Sequence, residues 1–139
     1  MTQTSWLVDK SALWRAKYPE VNAALTWRVA RGLIGVSIAT ELEVGFSAQS
    51  LDGYRTMRRA LVDQLLPIPM SYRTESRARE VQAELVERGQ HRSAGVADLL
   101  IAATAEIEGL AVLHYDADFD LIAEVTGQRC EWVVPKGTI

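Results

Sequence analysis

AVLHYDADFD, Ala111 to Asp120, is the stretch on which the reading of this chain turns. Ala111-Val112-Leu113 is a short apolar run after a boundary at Gly109-Leu110, which predicts a buried strand. Asp116, Asp118 and Asp120 then stand at alternate positions just past the strand's carboxyl end. In an open α/β sheet that is where ligands bind. Acids also suit the start of a helix, whose positive end favours them, so the stretch alone leaves two readings open.

Working outward, strands and helices alternate. Ser5 to Val8 predicts a first strand, with Asp9 at its end and Ser11 as the expected cap of a helix through Leu13, Trp14 and Ala16. Pro19 suits the first turn of the next helix, with Val21, Ala24, Leu25 and Val29 on one side and Gly32 at its end. The spacing of Trp14 and Trp27 predicts core residues rather than a base-stacking surface. Leu33 to Val36 is a second strand, and Ser37 caps the helix that carries Glu41. Glu43, three residues after Thr40, fits a capping box instead. Ser50 to Leu66 reads as one helix, and Pro67-Ile68-Pro69 as an edge segment. Tyr72 to Arg88 is a polar helix, and Gly89 to Gly95 a flexible basic loop. Val96 to Glu108 is the most apolar helix, with Asp98 in its first turn. A helix through Phe119, Leu121 and Ile122 ends at Gly127, and Cys130 to Val134 is the last strand.

The expected fold is therefore α/β, a three-layer arrangement with a mainly parallel central sheet and helices on both faces. At 139 residues and 48% hydrophobic, the chain suits a single domain over 1-139 with a filled core. Its net charge of −3 gives no global basic field to attract nucleic acid. The basic residues are nonetheless mostly arginine, the better planar partner for phosphate. Lone Cys130 excludes an internal disulfide. No apolar run is long enough for a membrane span or a signal peptide, so a cytoplasmic location is expected.

In such a fold Asp9 and Asp116 follow strands, while Glu41 and Asp98 open helices, so acids from four segments converge on one sheet edge. Clustered carboxylates raise one another's pKa values and call for a cation. Magnesium prefers hard oxygen ligands and keeps several waters. Between carboxylates it can activate water for phosphodiester cleavage. Zinc finds no paired His or Cys spacing among His91, His114 and Cys130. A calcium loop starting at Asp116 fails, because Leu121 holds its glycine position and Gly127 its glutamate position. No phosphate-binding glycine motif is present.

Four segments, LVDKSA (Leu7 to Ala12), TELEVG (Thr40 to Gly45), ADLLIAATA (Ala97 to Ala105) and LHYDADFDLIA (Leu113 to Ala123), resemble the acidic motifs of PIN domains, more narrowly of VapC-type toxins from bacterial toxin–antitoxin pairs. The resemblance covers essentially the whole chain. It implies a magnesium-dependent endoribonuclease, with Mn2+ as a substitute, that cleaves tRNA or another structured RNA and so inhibits translation and growth. By position Asp9, Glu41, Asp98 and Asp116 match the catalytic acids. Asp9, Asp98 and Asp116 are the expected metal ligands, with Asp118 as an auxiliary one. Many relatives carry Ser or Thr two residues before the last acid, where this chain has His114; a hydrogen-bond donor behind the site or a satisfied core histidine is expected there. Arg55, Arg58, Arg59, Arg88 and Arg92 are the expected RNA contacts. The expected partners are RNA, a cognate VapB-type antitoxin and a second copy of the chain. Two other readings compete: a phosphoryl-receiver domain and a catalytically idle PIN module used for binding. Receivers carry paired acids after the first strand, where Asp9 is followed by Lys10, and all four PIN acids are present here.

Overall fold

In a computed structural model, residues 4–139 are described. Five strands form one sheet: β1 (Trp6–Val8), β2 (Ile34–Val36), β3 (Leu66–Pro67), β4 (Ala111–His114) and β5 (Cys130–Trp132). Every pairing is parallel, in the order β3-β2-β1-β4-β5. The chain leaves β1 toward one edge of the sheet and returns to its other side as β4. The carboxyl ends of β1 and β4 therefore flank the point where the winding reverses, the place where such sheets bind ligands.

Two apolar cores follow from strand alternation. On one face Val8, Ile34, Val36 and Leu113 meet Ala12 and Leu13 of α1 (Lys10–Leu13) and Val21 and Leu25 of α2 (Pro19–Ala30). On the other, Leu7 and Val112 meet α5 (Tyr72–Glu87), α6 (Val96–Glu108) and α7 (Asp118–Thr126) through Val81, Leu85, Ile101, Phe119 and Ile122. α3 (Ile38–Phe46) belongs to both cores, sending Ala39 to one and Val44 to the other. Gly109, at φ 72°, closes α6 in the left-handed conformation that lets the chain turn directly into β4. Among the described residues, no helix is long and apolar enough to cross a membrane.

Several sequence expectations need correction. Asp9, not Ser11, caps α1, because its carboxylate reaches the Ser11 N–H and leaves the Ser11 hydroxyl inside the helix. The expected helix from Ser50 to Leu66 stops early. α4 (Leu51–Met57) passes into a π-turn over Arg58–Val62, in which the Asp63 N–H bonds the Arg58 carbonyl at 2.8 Å. The extra residue in that turn moves Val62 into the core and leaves Leu61 only partly covered. The last strand ends at Trp132 rather than Val134.

Trp27 is 42% exposed and Trp14 half-buried, so neither is a core residue. On α2 the inward position goes to Arg28, whose guanidinium is held between the Trp6 and Trp27 rings, at 4.5 and 4.6 Å from their centroids. Trp27 lies outside it as a cover.

The β2–β3 edge depends on Gly35. A Cβ at that position would collide with the Ile68 side chain and lie 3.2 Å from the Leu66 carbonyl. Gly35→Ala is therefore expected to lower stability by about 1–3 kcal/mol through overpacking. Urea unfolding measures this, and an unchanged midpoint would show that Ile68 swings away freely.

Candidate active site

Asp9 is fixed by the local chain on both sides. Its N–H donates to the Leu113 carbonyl across the β1–β4 pair at 2.9 Å, and its Oδ2 accepts from the Ser11 N–H at 2.9 Å. The Ser11 Oγ in turn accepts from the Tyr115 N–H at 2.8 Å, tying the loop after β1 to the loop after β4. The Asp9 side chain is almost fully buried, and its Oδ1 has no hydrogen-bond partner. A buried carboxylate oxygen without a donor is unfavourable unless a cation or water meets it.

Asp98 enters from the amino end of α6 and folds back so that its Oδ2 accepts from the Gly95 N–H at 3.1 Å. Asp116 follows β4, and its Oδ1 accepts from the Asp118 N–H at 2.9 Å, which starts α7. One ligand atom from each of Asp98, Asp116 and Asp118 can lie within 4.8 Å of the others. Burial, with added repulsion from Asp9, Asp116 and Asp118, raises the Asp98 carboxyl to about 7, against a lowering by the Gly95 N–H. Asp118 is also raised, by burial and then by Asp116, while a hydrogen bond with Asp98 lowers it. Asp98 thus satisfies both readings of an early helical acid: it caps its own helix and joins the cluster. Asp9 lies outside that trio but near enough to raise Asp98; the donor set is oxygen only, which fits a hard divalent ion.

Of the two expected readings, donor or satisfied core histidine, His114 is the fully buried one; it accepts at Nδ1 rather than donating, and its Nε2 has no hydrogen-bond partner. Its Nδ1 receives the Asp116 N–H at 3.1 Å, and its ring lies 5.0 Å from both Phe119 and Trp132. Burial holds its pKa below the ordinary value, against the pull of Asp120, Asp9 and Asp116. The neutral ring keeps Nδ1 free to accept, which fixes the backbone on which Asp116 hangs.

The two glutamates of α3 divide. Glu41 pairs with Arg58 of the π-turn at 2.9 Å, and Arg58 also reaches Asp63 at 3.5 Å. Glu43 lies 3.6 Å from Lys10. Its carboxyl is raised chiefly by burial, lowered by Lys10, and raised further by Asp9 and Asp116. Glu43 is not part of a capping box, because Ser37 caps α3 and the Thr40 hydroxyl donates instead to the Val8 carbonyl at 3.2 Å. Sequence reasoning set Glu43 aside for that box. The lysine immediately after Asp9 was the available sign that a second glutamate faces the site.

Of the arginines named from sequence, Arg58 is committed to Glu41 and Asp63. Arg55, Arg59, Arg88 and Arg92 are exposed and have no ion-pair partner among the described residues. Arg88 follows α5, and Arg92 lies in the loop that leads to Asp98.

In the metal-free chain Asp98 binds a proton more tightly folded than unfolded. Its contribution to stability is full below the unfolded carboxylate value near 4 and is lost as pH rises toward about 7. Asp98→Asn keeps an acceptor for Gly95 and removes the repulsion. Expected with chelator present at pH 8 is a higher melting temperature than wild type, with the difference shrinking toward pH 4. Thermal melts across that range check it, and a lower melting temperature for the variant at pH 8 would refute it.

The PIN domain family model matches residues 6–125. Ribonuclease VapC2 of Mycobacterium tuberculosis is 47% identical over 134 residues, covering 94% of each chain. Ribonuclease VapC21 of the same species is 43% identical over 135 residues, covering 97% of this chain and 98% of its own. Among solved structures, a chain of DNA-bound VapBC from Salmonella typhimurium superposes with a TM-score of 0.78 at 16% identity, over 95% of this chain and all of that one. A chain of VapBC2 from Rickettsia felis, also solved with DNA, gives 0.77 at 18% identity, over 92% and 98%. At those identities the superpositions speak for the fold, while the sequence relatives speak for the lineage. The chain belongs to the PIN-domain family, within its VapC ribonuclease branch.

Proposed function

We propose that the chain, as one PIN domain over 1–139, is a magnesium-dependent endoribonuclease. In this reading it is a toxin that acts in the cytoplasm on tRNA or another structured RNA, inhibits translation, and is neutralised by a VapB-type antitoxin. The observation that carries the reading is the crowding of Asp98, Asp116 and Asp118, with Asp9 close enough to raise Asp98 further and its buried Oδ1 left without a partner. Asp9, Asp98 and Asp116 would hold the ion, with Asp118 as an auxiliary ligand; Mn2+ has the same preference for oxygen ligands. Bound there, it would neutralise charge on the scissile phosphate and make water a better nucleophile. The chain's own part is preorganisation. Ser11 and Leu113 hold Asp9, while His114 and the Asp118 N–H hold Asp116, so the carboxylates need not move to receive a phosphodiester. Exposed, unpaired Arg55, Arg59, Arg88 and Arg92 are suited to the RNA backbone, offsetting the acidic site.

The partner readings have separate support. An apolar groove of about 350 Å³ between α2 and the π-turn, lined by Leu25, Val29, Leu61 and Leu65 among others, suits an amphipathic helix of the antitoxin. An arginine from that partner could meet the carboxylates two oxygens at a time and compete with the ion. The homodimer would use α3, whose outer face presents Ile38, Leu42 and Phe46 at helical spacing, with Phe46 91% exposed.

Purified protein should cleave RNA with Mg2+ or Mn2+, stop with chelator, and stop when the antitoxin is added. Asp9→Asn and Asp116→Asn should each lower the rate by orders of magnitude while the fold persists. Full cleavage by Asp116→Asn in chelator would end the reading. The fourth carboxylate is decided in the same assay. The family motif assigns Glu41 and charge coupling assigns Glu43, so whichever of Glu41→Gln and Glu43→Gln raises the Mg2+ requirement supplies it. For the dimer, Phe46→Glu should convert the protein to a monomer in sedimentation; an unchanged mass would place any interface elsewhere.

A further inference from the structure

An open cleft of about 640 Å³ begins at Asp116 and runs away from the acidic cluster, along the carboxyl edge of β4 and β5. Its walls come from segments that flank Asp9 and Asp116 and from the chain after β5. Lys10, Trp14 and Arg15 belong to the α1 segment behind Asp9, and Tyr115 precedes Asp116. Trp132 and Lys136 close the far side. Three cations and three aromatic rings thus line a groove that opens onto the proposed cleavage site.

The rings are not equivalent. Tyr115 is covered by the Arg15 guanidinium at 4.7 Å and meets the edge of Trp132 at 5.1 Å. Trp132 donates its N–H to Asp120 at 3.1 Å and has the Lys136 ammonium 5.6 Å from its ring centroid. Trp14 is half-buried in the wall, yet its indole N–H and ring have no partner among the described residues. A tryptophan in such a position ordinarily finds a hydrogen-bond partner. The cations also carry spare charge. Lys10 meets Glu43, but Arg15 and Lys136 have no ion pair among the described residues. The segment carrying Lys136 is pinned: the Gly137 N–H donates to the Tyr115 hydroxyl at 2.9 Å, and that hydroxyl donates to the Ile139 carbonyl at 3.3 Å.

We infer that this cleft is a nucleotide subsite beside the scissile phosphate, where an unpaired base of the RNA stacks on Trp14 and its backbone phosphate lies between Arg15 and Lys136. A base inside a duplex has no free face to offer, so the cleft selects a single-stranded or looped-out nucleotide. Phosphate matches the two unpaired cations, and the one unpartnered ring matches one base. The inference rests on the ribonuclease reading and adds what that reading lacks, a place that senses RNA conformation next to the cut.

The test uses the full chain with Asp98→Asn to stop cleavage, and a labelled single-stranded RNA decamer, followed by fluorescence anisotropy across a salt series. Trp14→Leu, which fills space without a stacking face, should weaken binding about tenfold or more. Trp14→Phe should recover most of the affinity. Lys136→Gln should flatten the salt dependence by about 0.7 in log–log slope, the share of one single-strand phosphate. Thermal melts confirm that each variant is folded. Equal affinity for Trp14→Leu and the parent, or an unchanged slope for Lys136→Gln, overturns the subsite, as does a loss confined to antitoxin binding. The two levels fail separately: an Asp98-intact chain that cleaves RNA regardless of Trp14→Leu keeps the nuclease reading, whereas one that cleaves no RNA with any divalent ion loses it.

Discussion

The parallel pairing of β1 with β4 is the constraint from which the rest follows. It sets Val8 opposite Leu113, so Asp9, the first residue beyond β1, emerges beside the end of β4, two residues after which Asp116 follows. The Asp9 N–H bonded to Leu113 and the Ser11 hydroxyl bonded to Tyr115 extend that pairing past the end of the sheet. Backbone hydrogen bonding, strong and fixed in direction, thereby holds carboxylates closer than their charges favour. Asp98 registers the crowding most clearly, because α6 drives it into the gap and burial denies it water.

Among the described residues, no ion pair relieves this crowding by meeting Asp9, Asp98 or Asp116 directly. Lys10 is turned to Glu43, and Arg58 to Glu41. Lys10 thus stands one residue removed from the site, paired with a glutamate that Asp9 and Asp116 raise. A cation so placed lowers the potential felt by an approaching polyanion while leaving the carboxylate oxygens available. A protein built only for stability would neutralise these acids from within or replace them. Local repulsion retained in a well-packed sheet is the mark of a site kept for a ligand.

Much of this was legible from the residues. The apolar runs at Trp6 to Val8, Ile34 to Val36 and Ala111 to Leu113 have few alternatives, and Gly109 and Gly127 mark helix ends, so the alternation of strand and helix could be read directly. Val96 to Glu108 matches the observed helix at both ends. Less legible were features decided by partners far away in sequence. Trp27 looked like core because hydrophobicity alone cannot show that Arg28 takes the inward position between two indoles. Glu43 looked like part of a cap because its partner Lys10 and the Thr40 hydroxyl's partner, the Val8 carbonyl, both lie about thirty positions away in sequence. His114 resembled a donor because its tautomer depends on where the Asp116 N–H points. The aromatic cleft was invisible because its walls join residues about a hundred positions apart.

The π-turn at Arg58–Val62 has a consequence for how this sequence can vary. A turn that bonds five residues back holds one residue more than the α-helix around it. At its start the chain is in one angular phase, with Arg58 turned to Glu41; from its end it is in another, with Val62 and Leu65 seated in the core. Deleting a single residue there would restore ordinary winding and rotate one half against the other by about 100°. Either the cation leaves Glu41 or the two apolar anchors leave the core. The segment therefore tolerates substitution far better than a change in length, and its residue count is itself a specification of the site.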